Sequence, residues 1–367
     1  MDTQLSNDLF TSTGPDPTVQ VFASNGFRRS NDGDWTLQIT GRITKPFPLN
    51  LRRQIVLGLL RQALKVDLHE VRTPLFQDRV RDFLRKTIAG QQITVHLGDS
   101  YFVLPTKSKR GGLFSGQIHL TAEELRNVVS RVGEAEQGRW LHFDVKSEPY
   151  PNAISLGRVQ MIHPMGLSVI TDIDDTIKES QVGLRQELLR NTFLRPFKAV
   201  PGMQSLYQSW WQQGAAFHYI SSSPWQLYRS LSSFLQEAGF PDGSYHLRPL
   251  RLRDPAGLTV IGGRKRSKKK AIRGLLRNYA YRRFLLVGDS GERDPEIYGS
   301  MARKCPGQIA GIFIRMMPGQ LVASSRIRRA FREIPPELWR FFHDPEELAD
   351  VRMPELASPF PQRCEGF

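Results

Sequence analysis

Apolar positions follow one period in the first part of the chain and another in the rest. In the first part they alternate with polar ones. Trp35, Leu37 and Ile39 are each followed by a polar residue, and the two-residue period returns at Ile93/Val95/Leu97 and at Phe114/Gly116/Ile118/Leu120. Trp140–Val145 and Ser155–Ile162 continue it. Successive side chains of a strand point to opposite faces, so this pattern predicts half-buried β-strands. Two helical stretches interrupt it. Asn50 is placed to cap a helix carrying Leu51, Ile55, Leu59 and Leu60, and Phe76, Val80, Phe83 and Leu84 also fall at helical spacing. Tyr101–Leu104 predicts a further strand, and Lys107–Gly112 a hairpin tip leading to the strand at Phe114. His96 and His142 lie inside these strands and read as strand-face residues. Residues 1–18 are polar, contain Pro and Gly, and predict disorder. The expected unit is a strand-rich accessory domain over residues 19–163.

From Gly166 onward, short apolar-leaning runs alternate with helical stretches. The runs are Leu167–Ile170, Ala215–Ile220 and Phe284–Val287. Strands alternating with helices predict a parallel sheet under helical cover, here over residues 164–320. His218 and Tyr219 lie within the second run and read as packing residues. Residues 321–367 read as a helical tail packed on, or extending, this domain. The aromatic residues of Pro336–Phe342 would dock on the core or touch lipid.

These runs end in polar chemistry. The first leads into Asp172-Ile173-Asp174-Asp175-Thr176. So much charge at a strand end is costly without a compensating cation or a function. In an open α/β sheet, ligands bind at the carboxyl ends of the strands. Asp172 and Asp174 sit two residues apart, so both can face one crevice. One carboxylate can attack phosphorus while the other moves a proton, and a hard cation such as Mg²⁺ would screen their repulsion. The third run ends in Gly288-Asp289-Ser290-Gly291-Glu292-Arg293-Asp294, whose Asp289 and Asp294 would add ligand oxygens. The second ends in Ser221-Ser222-Ser223-Pro224, and Lys268-Lys269-Lys270 opens a helical pattern between them.

Two other readings of these motifs fail on context. A calcium loop of the EF-hand type needs a Gly and a distal Glu that Asp172–Val182 lacks at the required places. Gly288-Asp289-Ser290-Gly291 is like the nucleophile loop of trypsin-like proteases, but it follows an apolar strand in an α/β pattern without the His and Asp partners.

The order acid pair, hydroxyl, lysine, acid pair resembles the four-motif site of the haloacid dehalogenase superfamily. Asp172–Ser180, Phe217–Gln226 and Phe284–Tyr298, with Arg190–Met203, resemble the signatures of its actin-patch phosphatidate phosphatase family. The resemblance covers Leu167 to Arg315. It implies an α/β, haloacid-dehalogenase-like parallel sheet with helices on both faces and a minimal cap, preceded by an accessory domain. It also implies Mg²⁺-dependent hydrolysis of phosphatidate to diacylglycerol and phosphate through an aspartyl-phosphate. Carried onto this chain, Asp172 is the nucleophile. Asp174 is the acid that protonates the leaving alkoxide and then the base that activates water. Thr176 would fix the turn through side-chain to backbone bonds. Ser221 would donate to a phosphoryl oxygen, and Lys268 would neutralise the phosphoryl group and Asp172, with Lys269 and Lys270 left open for that role. Ser222, Arg264, Lys269 and Lys270 are candidates for binding substrate. Asp172, Asp174 (through its carbonyl), Asp289 and Asp294 are candidates for holding Mg²⁺.

Charge extends this picture without choosing a partner. The chain has 51 Lys and Arg against 36 Asp and Glu, a net charge of +15, which suits an anionic lipid surface, nucleic acid or a phosphorylated substrate. Gly262–Lys270 is the densest basic run, and it reads equally as a solvated loop or an anion grip. No apolar run is long enough to span a bilayer, and Met1–Phe10 does not read as a secretory signal. Cys305 and Cys364 are too few for a disulfide scaffold and suggest a reducing compartment. The expectation is a cytoplasmic enzyme, peripheral on anionic membranes, with phosphatidate at the membrane surface as its partner. Its rivals are a phosphatase of nucleic-acid ends or phosphoproteins, and a non-catalytic module binding anionic lipid or nucleic acid. The intact Asp172/Asp174 pair, lysine and Asp289 speak against the non-catalytic module.

Overall fold

The computed structural model describes residues 17–28, 33–46, 57, 58, 60–62, 64, 65, 67, 69–132, 140–147, 150–250, 265–319 and 324–351. All but the last two residues of the expected disordered segment, the Asn50 cap and most of its helix lie outside these residues. So do Arg264 and the first part of the basic run. Thr18 already belongs to a strand.

The N-terminal part is strand-rich, as its alternating pattern predicts. It contains β1 (Thr18–Val21), β2 (Ser24–Arg28), β3 (Trp35–Lys45), β4 (Lys86–Thr87), β5 (Ile93–Leu97), β6 (Ser100–Val103), β7 (Leu113–Leu120), β8 (Trp140–Ser147) and β9 (Tyr150–Met161). They form one sheet in the order β1-β3-β2-β9-β8-β5-β6, with β4 and β7 also pairing on β3. Inward residues of these strands, among them Leu37, Ile39, Val95, Phe114, Phe143 and Val159, close a common core. The expected hairpin tip at Lys107–Gly112 is corrected. β7 runs antiparallel to β3 rather than to β6. Lys107–Gly112 is therefore a connection, held where the Ser108 hydroxyl donates to the Ile88 carbonyl at 2.9 Å.

The helix α1 (Pro74–Leu84) starts with a proline, and the Thr73 hydroxyl caps it by accepting from the Phe76 N–H at 3.3 Å. Its buried Phe76, Val80 and Phe83 pack into the core of the following domain. A second helix, α2 (Ala122–Val132), lies beside β7.

That domain is built on β10 (Gly166–Asp172), β11 (Ala216–Pro224), β12 (Gly243–Arg248), β13 (Arg282–Asp289), β14 (Ile309–Arg315) and β15 (Trp339–Phe342). The order is β12-β11-β10-β13-β14-β15, and every neighbouring pair is parallel. β10 pairs on both edges and is buried on both faces, which is why Leu167, Val169 and Ile170 leave little alternation in its sequence. Alternate residues of each strand feed two cores. Val169, Leu285, Val287 and Phe313 face α3 (Arg185–Phe193), α4 (Met203–Gln212), α5 (Tyr228–Glu237) and α1. Ile170, Leu286, Ile312 and Ile314 face α6 (Lys265–Asn278), α7 (Asp294–Lys304) and α8 (Ser325–Ala330). The fold is therefore α/β with helices on both faces. Between β10 and β11 the helices are α3 and α4, whose apolar residues belong to the core, so this connection builds no separate cap.

The two parts meet at the β12 side. The Phe22 ring stacks on Trp225 at 4.0 Å, and the Tyr245 N–H donates to the Ala23 carbonyl at 3.0 Å. Asn25 Nδ2 donates to the Tyr279 hydroxyl at 2.8 Å. The tail is corrected as well. It extends the sheet, but Trp339–Phe342 is a strand on β14 and not a helix, and Trp339 stacks on Phe331 at 5.0 Å. Cys305 is disulfide-bonded, against the expectation from so few cysteines, and Cys364 lies outside the described residues. Among the described residues no helix is long and apolar enough to cross a membrane.

Candidate active site

β10 delivers Asp172 to the carboxyl end of the sheet, between the ends of β11 and β13. Asp172 is 1% exposed. The Lys268 ammonium lies 2.8 Å from its Oδ1, yet neither carboxylate oxygen accepts a hydrogen bond. Lys268 sits in the first turns of α6 and also contacts Asp294 Oδ1 at 2.5 Å and Glu292 Oε2 at 3.2 Å. Of the three successive lysines, Lys268 is buried, Lys269 is half-buried and donates to the Ser300 hydroxyl at 3.2 Å, and Lys270 is exposed.

β13 ends at Asp289, where the chain turns tightly. Asp289 Oδ1 accepts from the N–H groups of Gly291 and Glu292 at 2.7 and 2.8 Å, while Oδ2 is buried with no partner. Asp294 folds back across this turn, with Oδ2 accepting from the Asp289 N–H at 3.3 Å. Only a glycine fits at 288, because a Cβ there would lie 2.3 Å from Asp294 Oδ2. Arg326 of α8 braces the turn, donating to the Ser290 carbonyl at 2.7 Å and to the Glu292 carbonyl.

The loop after β10 carries the second acid. Asp174 Oδ1 pairs with the Lys178 ammonium at 2.8 Å and accepts from the Ser180 hydroxyl at 2.7 Å. Its Oδ2 accepts from the hydroxyls of Ser221 and Ser223, both at 3.0 Å. Burial pushes this carboxyl up, but the Lys178 charge and the hydrogen bonds from Lys178, Ser180 and Ser221 outweigh it and hold the pKa at about 2. Asp174 is thus ionised, the form that accepts a proton. Ser222 is buried, and its carbonyl accepts from Arg248 Nε at 3.1 Å.

One expectation changes at this loop. Thr176 Oγ1 is buried and makes no hydrogen bond, so it does not tie the turn. Asp175 does. It adopts a left-handed φ of 57°, which a short polar side chain tolerates. Its Oδ1 accepts from the N–H groups of Ser180 and Gln181 at 2.7 Å, and its Oδ2 from Val182 at 2.6 Å.

Ligand atoms of Asp172, Asp289 and Glu292 all lie within 4.8 Å of one another. A divalent cation fits this group on two grounds. Asp172 Oδ1 and Oδ2 and Asp289 Oδ2 are buried acceptors without hydrogen bonds. Three carboxylates, Asp172, Glu292 and Asp294, share one ammonium, with Asp289 beside them. Burial, followed by the charges of Asp294 and Glu292, pushes Asp289 well above the usual carboxylate range. Burial and the acids Asp294, Glu292 and Asp289 do the same to Asp172, with Lys268 pulling the other way. The carboxylates around Lys268 outweigh its burial and keep it protonated. A hard cation would relieve this excess of negative charge. Asp294, expected among the ligands, lies outside the three-residue group with its Oδ1 on Lys268, and the Asp174 carboxylate, whose carbonyl was the expected ligand, is turned to Lys178.

Lys178, Ser180, Ser223 and Glu292 also belong to this site, without having been candidates. Lys178 follows Asp174 by four residues and Glu292 follows Asp289 by three, spacings that a tight turn closes. Ser223 lies two residues after Ser221, and the Ser223 N–H also donates to Ser221 Oγ at 2.9 Å.

Comparison with known proteins finds relatives of the domain that carries these residues. The family described as phosphatidate phosphatase APP1, catalytic domain, matches residues 167–316, which run from β10 to the end of β14. This domain of the chain is similar to that family. The phosphatidate phosphatase APP1 of Saccharomyces cerevisiae is 28% identical over 256 residues, 66% of this chain and 40% of that protein. An uncharacterized protein of Schizosaccharomyces pombe is 32% identical over 166 residues, 44% of this chain and 27% of its own length. The chain thus spans less than half the length of either relative.

Proposed function

We propose that this chain is a Mg²⁺-dependent phosphatidate phosphatase that works through an aspartyl-phosphate. The observation that carries the reading is Asp172, a buried carboxylate beside Lys268 with no hydrogen bond to either oxygen. Such a group is free to attack. The family that matches residues 167–316 and the relative named for phosphatidate support the substrate.

In the first step an Asp172 oxygen attacks phosphorus, and the bond to the leaving alkoxide breaks. Lys268 offsets the charge on the transferring group. The alkoxide takes a proton by way of Asp174. Because Asp174 is held ionised, the proton enters with the substrate: a monoester phosphate has a second pKa of about 6 and arrives partly as its monoanion. In the second step Asp174 takes a proton from water, the water oxygen bonds to phosphorus, and the bond to Asp172 breaks. The departing phosphate carries this proton away, which restores both the ionised Asp174 and the nucleophile. Asp172, Asp289 and Glu292 would hold Mg²⁺, which supplies charge neutralisation at the phosphoryl oxygens when bound. Ser221 and Ser223 orient Asp174, and Lys178 balances its charge.

The net charge of +15 and the lack of a separate cap between β10 and β11 support a substrate lying in an anionic surface. Phosphate release by the purified protein, with and without Mg²⁺, tests the reading across phosphatidate, lysophosphatidate, nucleotides and a phosphopeptide. Mg²⁺-dependent release greatest with phosphatidate supports it. Release confined to nucleotides or the phosphopeptide moves the assignment to the rival phosphatases.

A further inference from the structure

Lys178 is 1% exposed, deep burial for a lysine. Its ammonium pairs with the Asp174 carboxylate at 2.8 Å and donates to the Ser180 hydroxyl. Its ammonium also lies over the Phe197 ring, 4.7 Å from the centroid. The Arg79 guanidinium of α1 lies over the same ring at 3.2 Å. Backbone bonds fix the ring's position. The Glu179 N–H donates to the Lys198 carbonyl at 2.9 Å, and the Val200 N–H to the Ile177 carbonyl at 3.0 Å. A continuous series of contacts thus leads from α1, through Phe197 and Lys178, to Asp174.

We propose that Lys178 is a positioning residue that holds the Asp174 carboxylate in its reactive orientation, and that Phe197, itself packed under Arg79 of the N-terminal part, braces Lys178. The proposal rests on the phosphatase reading for its kinetic consequences but not for its geometry. Three hydroxyls alone could hold Asp174 in more than one rotamer, since each can turn. A buried ammonium fixed on an aromatic face allows one. A misplacement of about 1 Å costs up to about 10²-fold in rate. The N-terminal part would then support turnover without touching substrate.

The test is Lys178→Met, examined by crystallography and kinetics. The expected structure has the Asp174 carboxylate moved off the Ser221 and Ser223 hydroxyls. The expected kcat on phosphatidate falls about 100-fold, with KM within about twofold. With 4-nitrophenyl phosphate the leaving group needs no acid, but the water step still needs its base. The variant should therefore release a burst of about one equivalent of nitrophenol before slow turnover. Phe197→Leu should show the same pattern at about three- to tenfold, and should add no further loss in the Lys178→Met background. If Lys178→Met does not fold, Phe197→Leu carries the same crystallographic and kinetic readouts. An unmoved Asp174 overturns the proposal whatever the chain hydrolyses. So does a folded variant whose kcat is unchanged, or one that raises KM alone. Wild-type protein that releases no phosphate from any monoester overturns the phosphatase reading instead, leaving the crystallographic result to decide the positioning role.

Discussion

Lys268 Nζ lies 2.8 Å from Asp172 Oδ1, and the pair closes the carboxyl end of the central strand. Both side chains are almost wholly buried, at 3% and 1% exposure. Lys268 is also the shared partner of Glu292 and Asp294. Its removal would leave buried carboxylates without their cation. Lys268→Met should cost about 3–5 kcal/mol of stability and reduce turnover by about 10²–10³-fold. Thermal melting and phosphate release check this. Full activity in Lys268→Met, with loss in Lys269→Met or Lys270→Met, would transfer the role to a neighbour.

Asp174 and the acids around Lys268 respond to pH in opposite senses. Asp174 is held at about 2 against an ordinary 3.8. Its folded form binds the proton less tightly than the unfolded chain. It stabilises the fold above the unfolded value by about 2 kcal/mol, and this is lost as pH falls towards 2. Asp172 and Asp289 are raised, so their folded forms bind the proton more tightly. They cost stability at high pH, and the cost is relieved as pH falls through their folded values. Metal-free protein should therefore melt higher in mild acid than at neutral pH, then lose stability below about pH 4. Melting curves across pH give the answer, and a melting temperature that falls steadily from pH 7 downward would contradict it.

Mg²⁺ at neutral pH should relieve the same cost. It should raise the melting temperature in proportion to its occupancy of the folded state. Asp172→Asn should raise the melting temperature of the metal-free protein and shrink the Mg²⁺-induced shift. Calorimetry with and without Mg²⁺ measures both. No shift on adding Mg²⁺ to the wild type would count against a metal held by Asp172, Asp289 and Glu292.

Asp174→Asn should lower phosphatidate hydrolysis by about 10²–10⁴-fold. Formation of the intermediate from an aryl phosphate should suffer less, because that leaving group departs unaided. Equal losses in rapid-quench experiments on both substrates would make Asp174 a structural residue.

Gly288→Ala should also disable the site, although it removes no functional group. Its Cβ would come within 2.3 Å of Asp294 Oδ2 and drive that side chain from Lys268. Turnover should fall at least tenfold, as for a reacting group displaced by about 1 Å. Unchanged activity would show that Asp294 can be moved without harm.

The parallel sheet was legible because β10, β11 and β13 carry largely apolar runs that lead into Asp172, Ser221 and Asp289. Chemistry at strand ends is local in sequence, and the sheet brings it together. Lys178 and Glu292 were not legible. Charged residues in a loop read as solvated, and only the tight turns after β10 and β13 bury these two. The turn itself is tied by Asp175, whose three N–H contacts depend on a left-handed backbone that no spacing reveals. β15 escaped notice for another reason. Trp339-Arg340-Phe341-Phe342 is four residues long, and its pairing depends on β14 rather than on a pattern of its own. The hairpin expected at Lys107–Gly112 failed likewise, since β3 and not β6 supplies the partner of β7.

The central claim is that Asp172 attacks phosphorus. The most direct measurement is phosphate release from phosphatidate vesicles in Mg²⁺ by wild type and by Asp172→Asn, with circular dichroism to show that both are folded. Mg²⁺-dependent release by the wild type and none above background by the folded variant is the predicted result. Release by folded Asp172→Asn at a rate near that of the wild type would contradict it.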